Sequence, residues 1–113
     1  MPYICVTTSA ELEPITKTRL EKELGSIISV IPGKSERWLM TAVNDSVSMT
    51  LGGSDSPCAM VSVAIYGSAK REDYDKLTAN ITALVAERCG ISPSRIYVSY
   101  TEHEVFGWNG SNL

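Results

Sequence analysis

The spacing of apolar residues changes several times along the chain, and each change marks an element. Residues 2–8, PYICVTT, mix β-branched, aromatic and polar side chains as a strand does. Glu13-Pro14 opens a helix, because proline in the first turn lacks only an N–H that would have no partner there. Leu20, Leu24, Ile27, Ile28 and Ile31 then recur on one helical face, and Pro32-Gly33 stops the run. Trp38 to Val43, WLMTAV, reads as a short buried strand. Ser48 to Leu51 reads as another, ahead of the loop GGSDSP at 52–57. Cys58 to Tyr66, CAMVSVAIY, is the strongest strand and belongs near the centre of a sheet. A second helical face carries Tyr74, Leu77, Ile81, Leu84 and Val85, with Glu72 and Asp73 at its positive end and Gly90 beyond its other end. RIYVSY at 95–100 is the last full strand, and the tail VFGWNGSNL is too short for a unit of its own.

The two halves echo each other. GKSERWLMTAV at 33–43 aligns with GISPSRIYVSY at 90–100 through one gap, which brings Arg37 onto Arg95. The prediction is one α+β domain over residues 1–113, made of duplicated βαβ units at about 1–51 and 58–101. Right-handed crossovers make this a four-stranded mixed sheet with two helices on one face. The opposite face then has no cover, although Met60, Ser62, Ala64 and Tyr66 are nearly as apolar as the alternating set Ala59, Val61, Val63 and Ile65. A strand apolar on both sides needs a second layer, and another subunit supplies it.

Composition removes several classes of function. Ten Lys and Arg against thirteen Asp and Glu leave a net charge of -3, so no basic field invites nucleic acid. The uncharged run Gly25 to Gly33 is broken by serines and a proline, which argues against a signal peptide or membrane insertion. Cys5, Cys58 and Cys89 are odd in number and lie in apolar contexts, as buried thiols of a reducing compartment do. A single histidine, His103, and no C-x-x-C pair give metal chemistry no footing. Pro2 is either punctuation beside Met1 or a reagent, since loss of Met1 would turn its nitrogen into a secondary amine.

The initial Met-Pro with its strand, Gly33-Lys34, GGSDSPCA at 52–59, ISPSRIYVSY at 91–100 and GWNGS at 107–111 follow in an order that is specific as a set. In these residues, over nearly its whole length, the chain resembles the macrophage migration inhibitory factor family of the tautomerase superfamily. The resemblance implies a homotrimer whose three sheets form an inner barrel, with the short tail paired to a neighbour and sites between subunits. It implies cofactor-independent keto–enol tautomerisation of a phenylpyruvate-like or dopachrome-like compound, a small aromatic keto acid.

In that reading Pro2, freed by Met1 removal, is the general base, kept neutral by an apolar pocket and a nearby cation. Lys34 matches the lysine that holds the substrate carboxylate; from its position alone it is equally a solvated lysine past a helix end. Tyr66 stands where the family usually has an isoleucine whose backbone N–H meets substrate. Tyr97 matches the tyrosine that reaches an adjacent subunit's pocket, or it packs on the sheet. Ser99 replaces a longer asparagine, and Ser35 replaces the proline after the lysine. Phe106 and Trp108 are aromatic walls for a flat substrate, or trimer-packing residues. Val61 stands where a second cysteine would be, so Cys58 has no resolving thiol and disulfide exchange is rejected. Hydration or dehalogenation chemistry would need further arginines, and Arg37, Arg71, Arg88 and Arg95 read as helix or loop residues. The alternative to the enzyme is a cytokine-like effector that binds a cell-surface receptor. The resemblance places the protein in the cytoplasm, or outside the cell by secretion without a signal peptide.

Overall fold

The computed structural model describes residues 1–113. Strand β1 (Pro2–Thr8) leads to helix α1 (Pro14–Ile27), and strand β2 (Met40–Asn44) returns parallel to β1. Strand β3 (Ala59–Tyr66), helix α2 (Arg71–Cys89) and strand β4 (Ile96–His103) repeat the pattern, with β4 parallel to β3. Antiparallel pairing of β1 with β3 joins the halves into one sheet of order β2-β1-β3-β4. A hairpin of β5 (Gly107–Trp108) and β6 (Ser111–Asn112) ends the chain. This is the expected α+β fold.

Local chemistry sets the helix limits. Pro14 occupies the first turn of α1. The apolar face runs on to Ile31, but the α-helix itself stops at Ile27 and tightens into a 3-10 turn at Ile28–Val30. That extra winding carries Ile28 and Ile31 into the core before Pro32-Gly33 redirects the chain. α2 ends on Gly90 at φ 67, a left-handed cap that glycine adopts without strain. Glu72 and Asp73 in its first turn and Arg88 in its last complement the helix dipole.

The core lies between helices and sheet. Ile4, Val6, Val61, Val63 and Ile65 face Leu20, Leu24, Leu77, Ile81 and Val85, all essentially out of water. The opposite face stays open in the single chain. Ser62 is exposed and Met60, Ala64 and Tyr66 are half-buried, as their apolar alternation foretold.

Three sequence-based expectations need correction. The strand expected from Trp38 begins only at Met40, because Glu36–Trp38 forms a 3-10 turn that leaves Trp38 outside the ladder. Ser48–Leu51 forms no strand; its one bridge joins Leu51 to Ser54 across the glycine turn. The alternation there has no partner, because Ser46 and Val47 already bond to Ala10 and Thr8. Only Cys58 of the three thiols is buried, while Cys5 and Cys89 are half-exposed.

Candidate active site

Pro2 is buried at the start of β1, paired with Ile65 at the end of β3. Beside it opens a cavity of about 370 Å³, within the range of small-molecule sites. Its walls come from three segments: Met1 to Tyr3, Arg37 to Met40, and Phe106 to Trp108. Three of the residues that the sequence singles out, Pro2, Phe106 and Trp108, therefore meet. The Trp38 and Trp108 rings stand edge to face, 5.3 Å apart at 87°, which ties the terminal hairpin to the turn before β2. Phe106 lies 6.4 Å from the Tyr66 ring and 5.9 Å from His103.

Lys34 is no free surface lysine. Its Nζ donates to the Tyr66 carbonyl at 2.9 Å, which fixes the ammonium at the end of β3. The Tyr66 N–H in turn donates to the Met1 carbonyl at 3.2 Å. The amino terminus is thereby held close to the lysine. Burial first, and the Lys34 charge second, lower the pKa of the Met1 amine from its ordinary value.

Tyr97 and Ser99 lie elsewhere in the same chain. Tyr97 pairs with Met60 and Ser99 with Ser62, whereas Pro2 pairs with Ile65. Five strand positions separate Met60 from Ile65, roughly 17 Å along the sheet. Tyr97 is exposed on the open face, so one subunit cannot bring it to its own Pro2.

Arg37, Trp38, Leu39 and Met40 are not picked out as site residues by the sequence pattern, which puts Arg37 among helix or loop residues and Trp38 in a strand. A signal exists. The alignment that brings Arg37 onto Arg95 also sets this segment beside Ser-Pro-Ser-Arg, a turn sequence, and both segments fold as 3-10 turns, at Glu36–Trp38 and Pro93–Arg95. Arg37 remains outside regular helix and strand, yet its side chain borders the site.

A larger hollow of about 540 Å³ lies between α2 and β4, and Ser99 borders it. Its phenols are already committed. Tyr74 donates to Glu102 at 2.6 Å, and burial together with that bond pushes Tyr74 up to about 12. Tyr100 shares a 2.6 Å bond with Thr78 and donates to the Tyr74 carbonyl at 3.2 Å. Such groups hold structure and exchange no protons near neutral pH.

A two-layer fold with doubled βαβ units and an aromatic cavity at the chain's start defines a recognisable class. The sequence profile of the macrophage migration inhibitory factor family matches residues 1–113, and the chain belongs to that family. It is 33% identical to a macrophage migration inhibitory factor of Meriones unguiculatus, covering all of this chain and 99% of the relative. It is 28% identical to a D-dopachrome decarboxylase-B of Xenopus laevis, over 98% of this chain and 96% of that one. Among solved structures, MIF2 of Leishmania major superposes with a TM-score of 0.93 at 33% identity, covering 100% of this chain and 97% of the other. No helix here is long and apolar enough to cross a membrane.

Proposed function

We propose that the protein is a cofactor-independent tautomerase of phenylpyruvate-like or dopachrome-like compounds, with Pro2 as general base once Met1 is removed. The observation that carries this reading is the buried Pro2 beside an aromatic cavity, with Lys34 anchored on the strand that pairs with Pro2. A secondary amine there inherits the surroundings that lower the Met1 amine: a dry wall and the charge of Lys34. Both disfavour the ammonium and leave a lone pair free near neutral pH.

The steps follow from these groups. Lys34 holds the carboxylate of the keto acid, and the aromatic ring lies between Trp38, Phe106 and Trp108. The Pro2 nitrogen takes a proton from the carbon next to the carbonyl and delivers it to the oxygen of the enolate so formed, giving the enol, so no electron leaves the substrate. The Tyr66 N–H, released when Met1 leaves, donates to the substrate. The relative named D-dopachrome decarboxylase-B supports dopachrome-type substrates.

The distance between Tyr97 and Pro2 supports a homotrimer with sites between subunits. A site holding both residues needs two copies, and the open sheet face offers the contact. Protein confirmed by intact mass to lack Met1 is expected to isomerise phenylpyruvate. Pro2→Gly is expected to lose about 10²–10⁴-fold in kcat/KM, the usual worth of a general base. Full activity in that variant would sink the assignment and leave a receptor-binding effector as the better reading.

A further inference from the structure

We infer that Arg37 forms a second anion subsite in the Pro2 cavity, so that the site selects aromatic α-keto acids carrying another carboxylate on the far side of the ring. The inference rests on the tautomerase reading above and names its substrate class.

Arg37 borders the cavity with its guanidinium carbon 5.1 Å from the centre of the Trp38 ring. Stacking on that ring restrains the fork without using its N–H donors. Nothing on the chain neutralises it: the salt bridges are Lys17 with Asp45, Arg71 with Asp75 and Arg88 with Glu23. The nearest acid in sequence, Glu36, is turned away. It lies so close to Gly25 of α1 that a Cβ there would meet its Cγ and Cδ at 2.9 Å. No acidic side chain borders the cavity at all.

Two cations with different duties therefore stand near Pro2. Lys34 is half-buried and tied to the Tyr66 carbonyl beside the amino terminus. Arg37 is exposed on the tryptophan wall with its donors free. A flat ring between the aromatic walls can present its keto-acid end to Lys34 and a ring carboxylate to Arg37, whose planar fork matches two carboxylate oxygens. One cation would suffice for a monoanion; the second gives a reason to prefer a dianion.

The test compares phenylpyruvate with 4-carboxyphenylpyruvate on Met1-free protein. The chain has two tryptophans, Trp38 and Trp108, and both border the cavity, so intrinsic fluorescence reports binding there directly. The dianion is expected to bind about three- to tenfold more tightly, and the advantage is expected to shrink in 0.5 M salt (~4 Å screening). In Arg37→Gln the ratio of the two Kd values is expected to fall to about one, with the unfolding midpoint confirming an intact fold. A ratio near one in the wild type, or an unchanged ratio in Arg37→Gln, overturns the inference. Turnover of both compounds is measured alongside. Turnover of phenylpyruvate with a Kd ratio of one leaves the tautomerase standing and removes the subsite. Binding with the predicted ratio but no turnover supports the subsite and removes the tautomerase.

Discussion

The Met1 carbonyl accepts the backbone N–H of Tyr66 at 3.2 Å, on the residue whose own carbonyl is bonded to Lys34. A single extra residue thus affects the site twice. It makes the Pro2 nitrogen an amide, and it occupies an N–H that could otherwise serve substrate. Protein that retains Met1, or carries one added residue before Pro2, is expected to be at least about 10²-fold less active than the trimmed form. Intact mass sorts the two populations, and a phenylpyruvate assay on each reads the difference.

The proposed mechanism gives Lys34 a pH signature as well as a binding role. In that mechanism the neutral Pro2 amine is the active base, so kcat/KM is expected to rise with pH as the ammonium loses its proton. Burial first and the lysine's charge second lower the pKa of the Met1 amine; a Pro2 amine exposed by trimming is expected to feel the same charge, so that removing the lysine lets its pKa rise. Lys34→Ala is therefore expected to move the acid limb of the profile to higher pH. It is also expected to raise KM about tenfold by loss of a charge-assisted bond to the carboxylate. A limb that stays in place would separate the lysine from the base.

Asp45 ties the loop after β2 to the segment before α1. It accepts the Leu12 N–H at 2.9 Å and pairs with Lys17 at 2.6 Å, and these contacts lower its pKa to about 2. A carboxylate whose folded pKa lies below its unfolded value of about 3.9 adds stability above the higher value and loses it as pH falls toward the lower. Asp45→Asn is thus expected to unfold at lower temperature than the wild type at pH 6. The two melting temperatures are expected to converge as pH falls from about 4 to about 2.

Arg95 gathers four carbonyls of one loop, those of Leu51, Ser54, Ser56 and Pro57, at 2.9 to 3.2 Å. A lysine ammonium cannot span that fan of acceptors. Arg95→Lys is expected to reduce the unfolding free energy by about 1–3 kcal/mol in urea titrations, with faster amide exchange confined to the 51–57 loop.

How much of this is legible in the sequence depends on how local the signal is. Pro14, Gly90 and the apolar faces of both helices act within a few residues, and the doubled pattern implies the crossovers. Trp38 misleads because an apolar residue before a strand looks like the strand; its turn is fixed by a 3-10 bond from the Leu39 N–H to the Glu36 carbonyl, which hydropathy cannot register. The cavity is legible in part. Pro2, Phe106 and Trp108 announce themselves as chemistry or as aromatics, whereas Arg37 gains meaning only from what folds against it. Tyr97 and Ser99 carry meaning through family resemblance, and within one chain they stay remote from Pro2.

The tryptophan contact that closes the cavity joins residues made at very different times. Trp38 leaves the ribosome early, behind Pro2, and Trp108 follows after almost the whole domain has been translated. Until then the wall is missing and the amino terminus is accessible. An aminopeptidase acting during synthesis meets Met1 on an open chain, whereas one acting on the finished fold meets it against Tyr66 and beside Trp108. On the proposed mechanism, the chemistry of the mature site depends on whether Met1 is trimmed, on the open chain or on the finished fold.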